Sequence, residues 1–164
     1  YEGGVRVPFI ASWAKPDAKN KFQKKYPIAQ NAVQLQQGTV MDLYPTILSV
    51  AHVKPPKHYA LDGADLKKLF QGKEDKKHRD DFLMHFPHGE HRANYFTTYR
   101  KGDWKLIYYY HPETTGIPTW KLYNLKDDPY EKTEVSAEYP EKTASMIEQM
   151  KDRLKEENAL FPEE

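Results

Sequence analysis

The densest group of chemically versatile side chains lies in HFPHGEHR at residues 85–92. Its three histidines are three residues apart, and only a helix would place them all on one side, but Pro87 and Gly89 disfavour a helix. We therefore predict no metal site here. A loop that carries two imidazoles and a guanidinium is better suited to binding an anionic or hydroxyl-rich ligand through charge-assisted hydrogen bonds. Partly exposed loop histidines that bind nothing are an equally weighted alternative.

A second compact motif, Glu2-Gly3-Gly4, precedes Arg6 at the start of the sequence. Two adjacent glycines allow the backbone to turn with positive φ or to approach another group closely. A Gly-Gly turn is weak evidence for a site by itself. The sequence contains no Ser-His-Asp arrangement and no phosphate-binding glycine loop, and its lack of cysteine excludes a thiol nucleophile and a Cys-ligated zinc site. Local chemistry alone therefore indicates no catalytic centre.

Four short segments rich in β-branched and aromatic residues predict strands. They are Asp81–Phe86, Tyr95–Arg100, Trp104–Tyr110 and Thr119–Leu125. After them, Ile147, Met150 and Leu154 recur at helical spacing and predict an amphipathic helix at about residues 140–157. A run of strands closed by a helix is typical of an α+β fold, in which a small four-stranded antiparallel sheet is packed by the C-terminal helix.

The first eighty residues have a different pattern. The apolar segment Val5–Trp13 predicts a buried strand, and a polar, lysine-rich loop follows it. A helix is predicted at about residues 42–51, with Asp42 as its N-cap and Pro45 in its first turn, where the missing N–H costs nothing. A linker that contains a short helix connects this helix to the first strand of the sheet.

Composition bounds the class of protein further. The 164 residues include 25 Lys and Arg and 24 Asp and Glu, and no apolar run is long enough to cross a membrane. We find no recognition helix and no aromatic-studded basic strand, so we do not expect nucleic acid as a partner. Four histidines in turns or charged stretches are predicted to be solvated: His52, His58, His78 and His111.

Five motifs follow one another in the order found in the C-terminal part of type I sulfatases, which belong to the alkaline phosphatase superfamily. They are YEGGVRVPFIASW at 1–13, MDLYPTIL at 41–48, LDGADLKKLFQG at 61–72, YRKGDWKLIYY at 99–109 and LYNLKDDPYEK at 122–132. The resemblance covers nearly the whole chain. No single motif decides it, but five in register are a strong signal.

The resemblance implies three parts: residues 1–52 as the end of the large α/β catalytic domain, 53–80 as a linker, and 81–164 as the C-terminal subdomain. It also implies a sulfuric ester hydrolase that acts on a sulfated glycan or an aryl sulfate and is exported to the periplasm or the cell exterior. The family's nucleophile is a formylglycine made from Cys or Ser in a C/S-x-P-x-R motif, which this sequence lacks. The family's calcium-binding acids and sulfate-contacting lysine precede the matched region. We therefore expect this chain alone to be inactive.

The resemblance also assigns roles to both motifs described first. In similar bacterial sulfatases, a loop after the first strand of the subdomain reaches toward the pocket, which implies substrate contacts from His85, His88 and Arg92. His88 is the strongest of these because it lies in the Pro-His pair. Glu2-Gly3-Gly4 and Arg6 would lie beside the floor of the active site.

The same motifs allow two alternative functions and also predict a partner for this chain. The parent enzyme is alternatively a related phosphoester or phosphonate hydrolase, or the chain is an independent glycan-binding module. The rest of a sulfatase chain is the expected partner. Without it, an apolar edge would be exposed and would promote self-association. That edge consists of Val7, Phe9, Ile10, Leu43 and Ile47.

Overall fold

The computed structural model describes residues 2–87, 95–110 and 116–160. Its strands are Asp81–Phe86 (β1), Phe96–Lys101 (β2), Trp104–Tyr109 (β3) and Trp120–Asn124 (β4). Its α-helices are Lys21–Lys25 (α1), Leu43–Ala51 (α2), Lys67–Phe70 (α3) and Pro140–Glu156 (α4). Short 3₁₀ turns occupy Glu2–Gly4 and Val40–Asp42.

The chain divides into two compact units. One contains the N-terminal residues up to Val7 together with the sheet and α4, and the other is Pro8–Asp80. The 3₁₀ turn Glu2–Gly4 therefore packs in the unit of the C-terminal sheet, although it lies far from the sheet in sequence. The three-part domain division implied by the sulfatase resemblance stays a prediction.

The sheet and α4 confirm the predicted α+β arrangement. The strands are antiparallel in the order β1-β2-β3-β4, and a single row of cross-strand partners runs through Leu83, Tyr99, Leu106 and Leu122. Because side chains alternate between the two faces of a strand, this row lies on one face. Three of its members, together with side chains of α4, form the main core. The buried members of this core are Tyr99, Leu106, Leu122, Met146, Met150 and Leu154.

The opposite face of the sheet holds a smaller apolar cluster. Its buried members are Ile107, Tyr123 and Leu125. Within the part of the chain that the structure describes, no helix is long and apolar enough to cross a membrane.

In Pro8–Asp80, α2 lies where it was predicted and Asp42 occupies its N-cap position, but the side chain of Asp42 does not cap it. Asp42 precedes α2 with helical backbone angles, and its carboxylate makes no cap hydrogen bond to α2. It accepts instead from the peptide N–H of Thr39 at 2.7 Å and of Ala64 at 2.8 Å. Thr46 of α2 accepts from the N–H of Leu66 at 2.9 Å. These bonds tie the motif at 41–48 to the motif at 61–72.

The predicted strand at Val5–Trp13 is also wrong. Within the described residues this segment contains no strand, and four of its apolar side chains are exposed: Val5, Val7, Phe9 and, at 88%, Ile10. A strand needs a neighbour that takes its backbone hydrogen bonds, and β1–β4 pair only with one another. High β-propensity therefore did not produce a strand here.

His78 is a third correction. Its side chain is buried rather than solvated, and its Nε2 lies 3.6 Å from Oδ2 of Asp42. The partner is distant in sequence, so the charged neighbours of His78 gave no sign of it. The buried carboxylate offsets part of the cost of burying the imidazole.

Candidate functional site

Of the predicted substrate contacts, the structure describes only His85, since His88 and Arg92 lie outside the described residues. His85 is near the end of β1, with its Nδ1 2.7 Å from the hydroxyl oxygen of Thr97 and its Nε2 2.6 Å from the carbonyl oxygen of Leu160. A carbonyl oxygen only accepts, so Nε2 carries a proton and donates it, and in the neutral ring Nδ1 accepts from Thr97. Both ring nitrogens are thus engaged within the chain.

A buried tyrosine completes this network. The hydroxyl of Tyr110 lies 2.8 Å from the hydroxyl of Thr97. When the imidazole is neutral and Thr97 donates to it, the Tyr110 hydroxyl donates to Thr97. Burial raises the pKa of the Tyr110 hydroxyl, which keeps it protonated as this donation requires. The network fastens the chain at Leu160 to the sheet near the end of β1. Direct substrate contact by His85 stays a prediction.

Glu2, a predicted site residue whose side chain is buried, belongs to a cluster of four charged residues. Lys105 lies at its centre, with its Nζ 2.7 Å from Oε1 of Glu131 and 3.4 Å from Oε2 of Glu2. Nη1 of Arg100 donates to Oε1 of Glu2. The side chains of Glu2, Lys105 and Glu131 are each at most 4% exposed. Two carboxylates and two cations compensate one another, as buried charges must.

The chain reaches this cluster through a tight turn after β4. The carboxylate of Asp128 accepts from the peptide N–H of Lys132 at 2.6 Å and of Thr133 at 2.8 Å. Within this turn Glu131 adopts a left-handed conformation, with φ of 54°. This backbone conformation is unfavourable for a residue with a Cβ and persists where the surroundings enforce it.

The carboxylate of Glu131 also binds the backbone of the N-terminal turn. The peptide N–H of Glu2 donates to Oε1 of Glu131 at 2.8 Å, the same oxygen that accepts from Lys105. Three of the five motifs, at 1–13, 99–109 and 122–132, therefore meet in one cluster. These three motifs hold one another in place through the contacts of this cluster.

His85 and the Glu2 cluster lie on opposite faces of the sheet. His85 is two residues from Leu83 and so points to the face that carries α4, whereas Lys105 is adjacent to Leu106 and points to the other face. Arg100 is the cross-strand partner of Lys105 and shares its face. The structure thus does not bring the two groups of predicted site residues together.

The remaining predicted residues near the N-terminus are exposed. Gly3 and Gly4 have open space where a Cβ would project, and the N–H of Arg6 donates to the carbonyl of Glu2 at 2.8 Å. Sequence reasoning missed Lys105, Arg100 and Glu131 as partners of Glu2. The available signal was the alternation of the strand, which puts Lys105 on the same face as the apolar Ile107 and Tyr109.

The described residues do not fit a metal centre. In 2–87, 95–110 and 116–160, no three His, Asp or Glu side chains are grouped so that they could hold a metal ion. The calcium that the resemblance implies for the longer enzyme stays a prediction, and no chemical step of this chain is assigned to it.

Comparison with known proteins gives consistent matches. A family model for the C-terminal region of N-sulphoglucosamine sulphohydrolase matches residues 1–159. A sulfatase of Formosa agariphila is 32% identical over 170 residues, which cover 94% of this chain and 27% of that protein. The N-acetylgalactosamine-6-sulfatase of Sus scrofa is 34% identical over 102 residues, which cover 59% of this chain and 17% of that protein.

One solved structure is similar in both sequence and fold. It is a complex of a protein with its substrate, D-glucosamine-2-N,6-O-disulfate, at 29% identity and a TM-score of 0.56, covering 70% of this chain and 23% of that chain. This chain spans 27% of the length of the Formosa agariphila sulfatase and 17% of the Sus scrofa enzyme. The similarity thus concerns one region of much longer proteins.

Proposed function

Since this chain belongs to the sulfatase family, as the C-terminal region of an enzyme of the alkaline phosphatase superfamily, we propose that it serves a longer enzyme that hydrolyses sulfate esters of a glycan. Its role there is to contribute substrate contacts and structural support. The match of residues 1–159 to the sulfatase C-terminal family is the observation that carries this proposal. The exported location that the family implies belongs to the same proposal.

The reacting groups are assigned to the preceding part of the longer chain. Hydrolysis of a sulfate ester needs a nucleophile aligned with sulfur, a cation on the sulfonate oxygens and an acid for the leaving oxygen. The family's formylglycine and calcium would supply the first two. This sequence lacks cysteine and the C/S-x-P-x-R motif, so we assign neither group to it.

Substrate contacts are assigned to the loop after β1. His88 and Arg92 carry the groups that bind hydroxyl and sulfate oxygens through charge-assisted hydrogen bonds. His85 lies near the end of β1, where its bonds to Thr97 and Leu160 support the strand end. The disulfated glucosamine in the similar solved structure supports a sulfated sugar as the substrate class.

The rest of the longer chain is the proposed partner, and residues 8–80 offer the surface for it. A groove of about 430 Å³ in this unit is lined mostly by apolar side chains, among them Phe9, Ile10 and Ile47. Ile10 and Ile47 are 88% and 63% exposed. Burying one such side chain contributes about 1.5–3 kcal/mol, so a partner that covers the groove gains substantial stability.

The full-length protein and this chain alone should be assayed with a sulfated glucosamine and with 4-nitrophenyl sulfate. We expect turnover by the full-length protein and none by this chain. The corresponding phosphate and phosphonate esters are the control substrates. A preference of the full-length protein for either of them would overturn the sulfatase assignment.

The proposed substrate contact of His88 is tested by a variant of that residue. We expect His88→Ala in the full-length enzyme to lower kcat/KM by roughly tenfold or more, the effect of losing one charge-assisted contact. His58→Ala, at an exposed turn, is the matched control and should leave kcat/KM unchanged. Unchanged kinetics of His88→Ala on the natural substrate would contradict the contact.

A further inference from the structure

Within the described residues, nothing in the structure requires glycine at either position of Gly3-Gly4. Neither has a positive φ, and a Cβ on either would meet no atom within 4 Å among the described residues. Gly63 differs, since its Cβ would lie 2.1 Å from the carbonyl oxygen of Met41. The open side of the turn therefore leaves the backbone of both glycines accessible to a group outside the described residues.

The turn that presents these glycines is held firmly on its other side. The backbone and the carboxylate of Glu2 are both bound, the former by Glu131 and the latter by Arg100 and Lys105. The carbonyl of Glu2 in turn accepts from the N–H groups of Val5 and Arg6, at 3.0 and 2.8 Å. One buried residue thus fixes the backbone on both sides of the glycines.

Lys105 and Glu131 are the residues on which this arrangement depends. Oε1 of Glu131 binds the Glu2 N–H and Lys105 together, and Lys105 is the cation between two buried carboxylates. Loss of the Lys105 charge leaves Glu2 and Glu131 to repel each other in a buried site. Arg100 alone then compensates Glu2, so the turn loses its fixed position.

We propose that Lys105 and Glu131 are positioning residues that hold Glu2-Gly3-Gly4 where the substrate pocket of the longer enzyme is built against its glycine backbone. This inference rests on the proposed sulfatase function. The cluster acts through the turn and touches no substrate itself. Displacement of a pocket wall by about 1 Å is enough to lower catalysis by up to a hundredfold.

The test uses the full-length protein and three variants. Lys105→Met keeps most of the aliphatic stem and removes the charge, and Glu131→Gln keeps the oxygen that accepts from Glu2 while removing the charge. Lys101→Met is the matched control, because Lys101 lies exposed in the same sheet and binds Gln149 of α4. Hydrogen exchange of the segment 2–7 and the separate values of kcat and KM are measured.

We expect Lys105→Met to accelerate exchange at Val5 and Arg6 about tenfold or more while the strands stay protected. We expect kcat to fall by about tenfold to a hundredfold with KM nearly unchanged. Glu131→Gln should shift both readouts in the same direction by less, and Lys101→Met should shift neither. If Lys105→Met does not fold, Glu131→Gln decides by the same criteria.

Wild-type exchange of 2–7, or unchanged kcat, in a folded variant of Lys105 or Glu131 would overturn the positioning role. A purely structural role would lower the melting temperature and leave kcat of the folded enzyme unchanged. Failure of the proposed function appears separately, as absent sulfate ester turnover in the wild-type protein. In that case exchange at Val5 and Arg6 still decides whether the cluster holds the turn.

Discussion

Glu134 shows how an exposed carboxylate acquires a structural role after β4. Its Oε1 accepts from the peptide N–H of Leu122 at 3.0 Å and from that of Ser136 at 2.7 Å. Burial by itself would raise the pKa of Glu134, but these donors outweigh burial and hold the pKa below its usual value. A carboxyl with a lowered folded-state pKa stabilises the fold above the unfolded pKa and loses that contribution as pH falls through the folded value.

We therefore expect Glu134→Gln to flatten the acid dependence of stability from about pH 5 downward, where an unfolded glutamate takes up its proton. The measurement is the urea midpoint of unfolding across a pH series. Glu138→Gln, at an exposed position nearby, is the matched control. Equal acid slopes for Glu134→Gln and wild type would show that the two peptide donors do not stabilise the ionised form.

The burial and the backbone conformation of individual residues were the hardest features to predict from the sequence. His78 stands among charged residues in sequence, yet it is buried against Asp42. Glu131 carries a left-handed backbone that no local propensity of glutamate favours. In both cases the reason is a partner brought close by the fold, which sequence spacing does not contain. The motif matches found the correct segments and could not name the contacts between them.

At the scale of elements, prediction succeeded where the sequence pattern itself shows which face of the strand or helix is buried. β1–β4 and α4 were predicted within a residue or two because alternation and helical spacing each define one apolar face. The strand predicted at Val5–Trp13 was wrong because β-propensity reports only how well side chains fit a sheet. A strand also needs a neighbouring strand to pair with. Of the candidate site, Glu2 was named as a site residue, which stays a prediction, while its three charged partners were not named.

The contact between α2 and the segment 61–66 gives a prediction at this scale. A Cβ on Gly63 would lie 2.1 Å from the carbonyl oxygen of Met41 and 2.6 Å from the nitrogen of Asp42. Because both are backbone atoms, Gly63→Ala must displace the segment from the 3₁₀ turn Val40–Asp42 that precedes α2. We expect a loss of about 1–3 kcal/mol or more in the free energy of unfolding of residues 8–80, measured by denaturant titration.

Gly38→Ala is the matched control for Gly63→Ala. Its Cβ would approach the Leu66 side chain at 3.4 Å, an ordinary van der Waals contact. We expect this variant to unfold at nearly the wild-type denaturant concentration. Equal stability of the two variants would contradict the close backbone contact that joins the motifs at 41–48 and 61–72.

At the scale of the whole molecule, the exposed apolar surface is the dominant feature. Soluble monomers seldom expose large contiguous apolar patches. Here the predicted edge residues Val7, Phe9, Ile10 and Ile47 are all exposed, and only Leu43 is half-buried. A chain that spans 27% of its Formosa agariphila relative is expected to expose the surface that the remainder covers.

From this exposed apolar surface we predict that the isolated chain self-associates through the groove lined by Ile10 and Ile47. In sedimentation velocity we expect oligomers that grow with protein concentration, because covering apolar area is favourable. The double variant Ile10→Gln with Ile47→Gln should shift the chain toward monomer. Val33→Gln with Leu35→Gln removes two equally exposed apolar side chains that do not line the groove, and should leave association unchanged. A monomeric wild-type chain at all concentrations, or equal effects of the two double variants, would contradict a specific role of the groove.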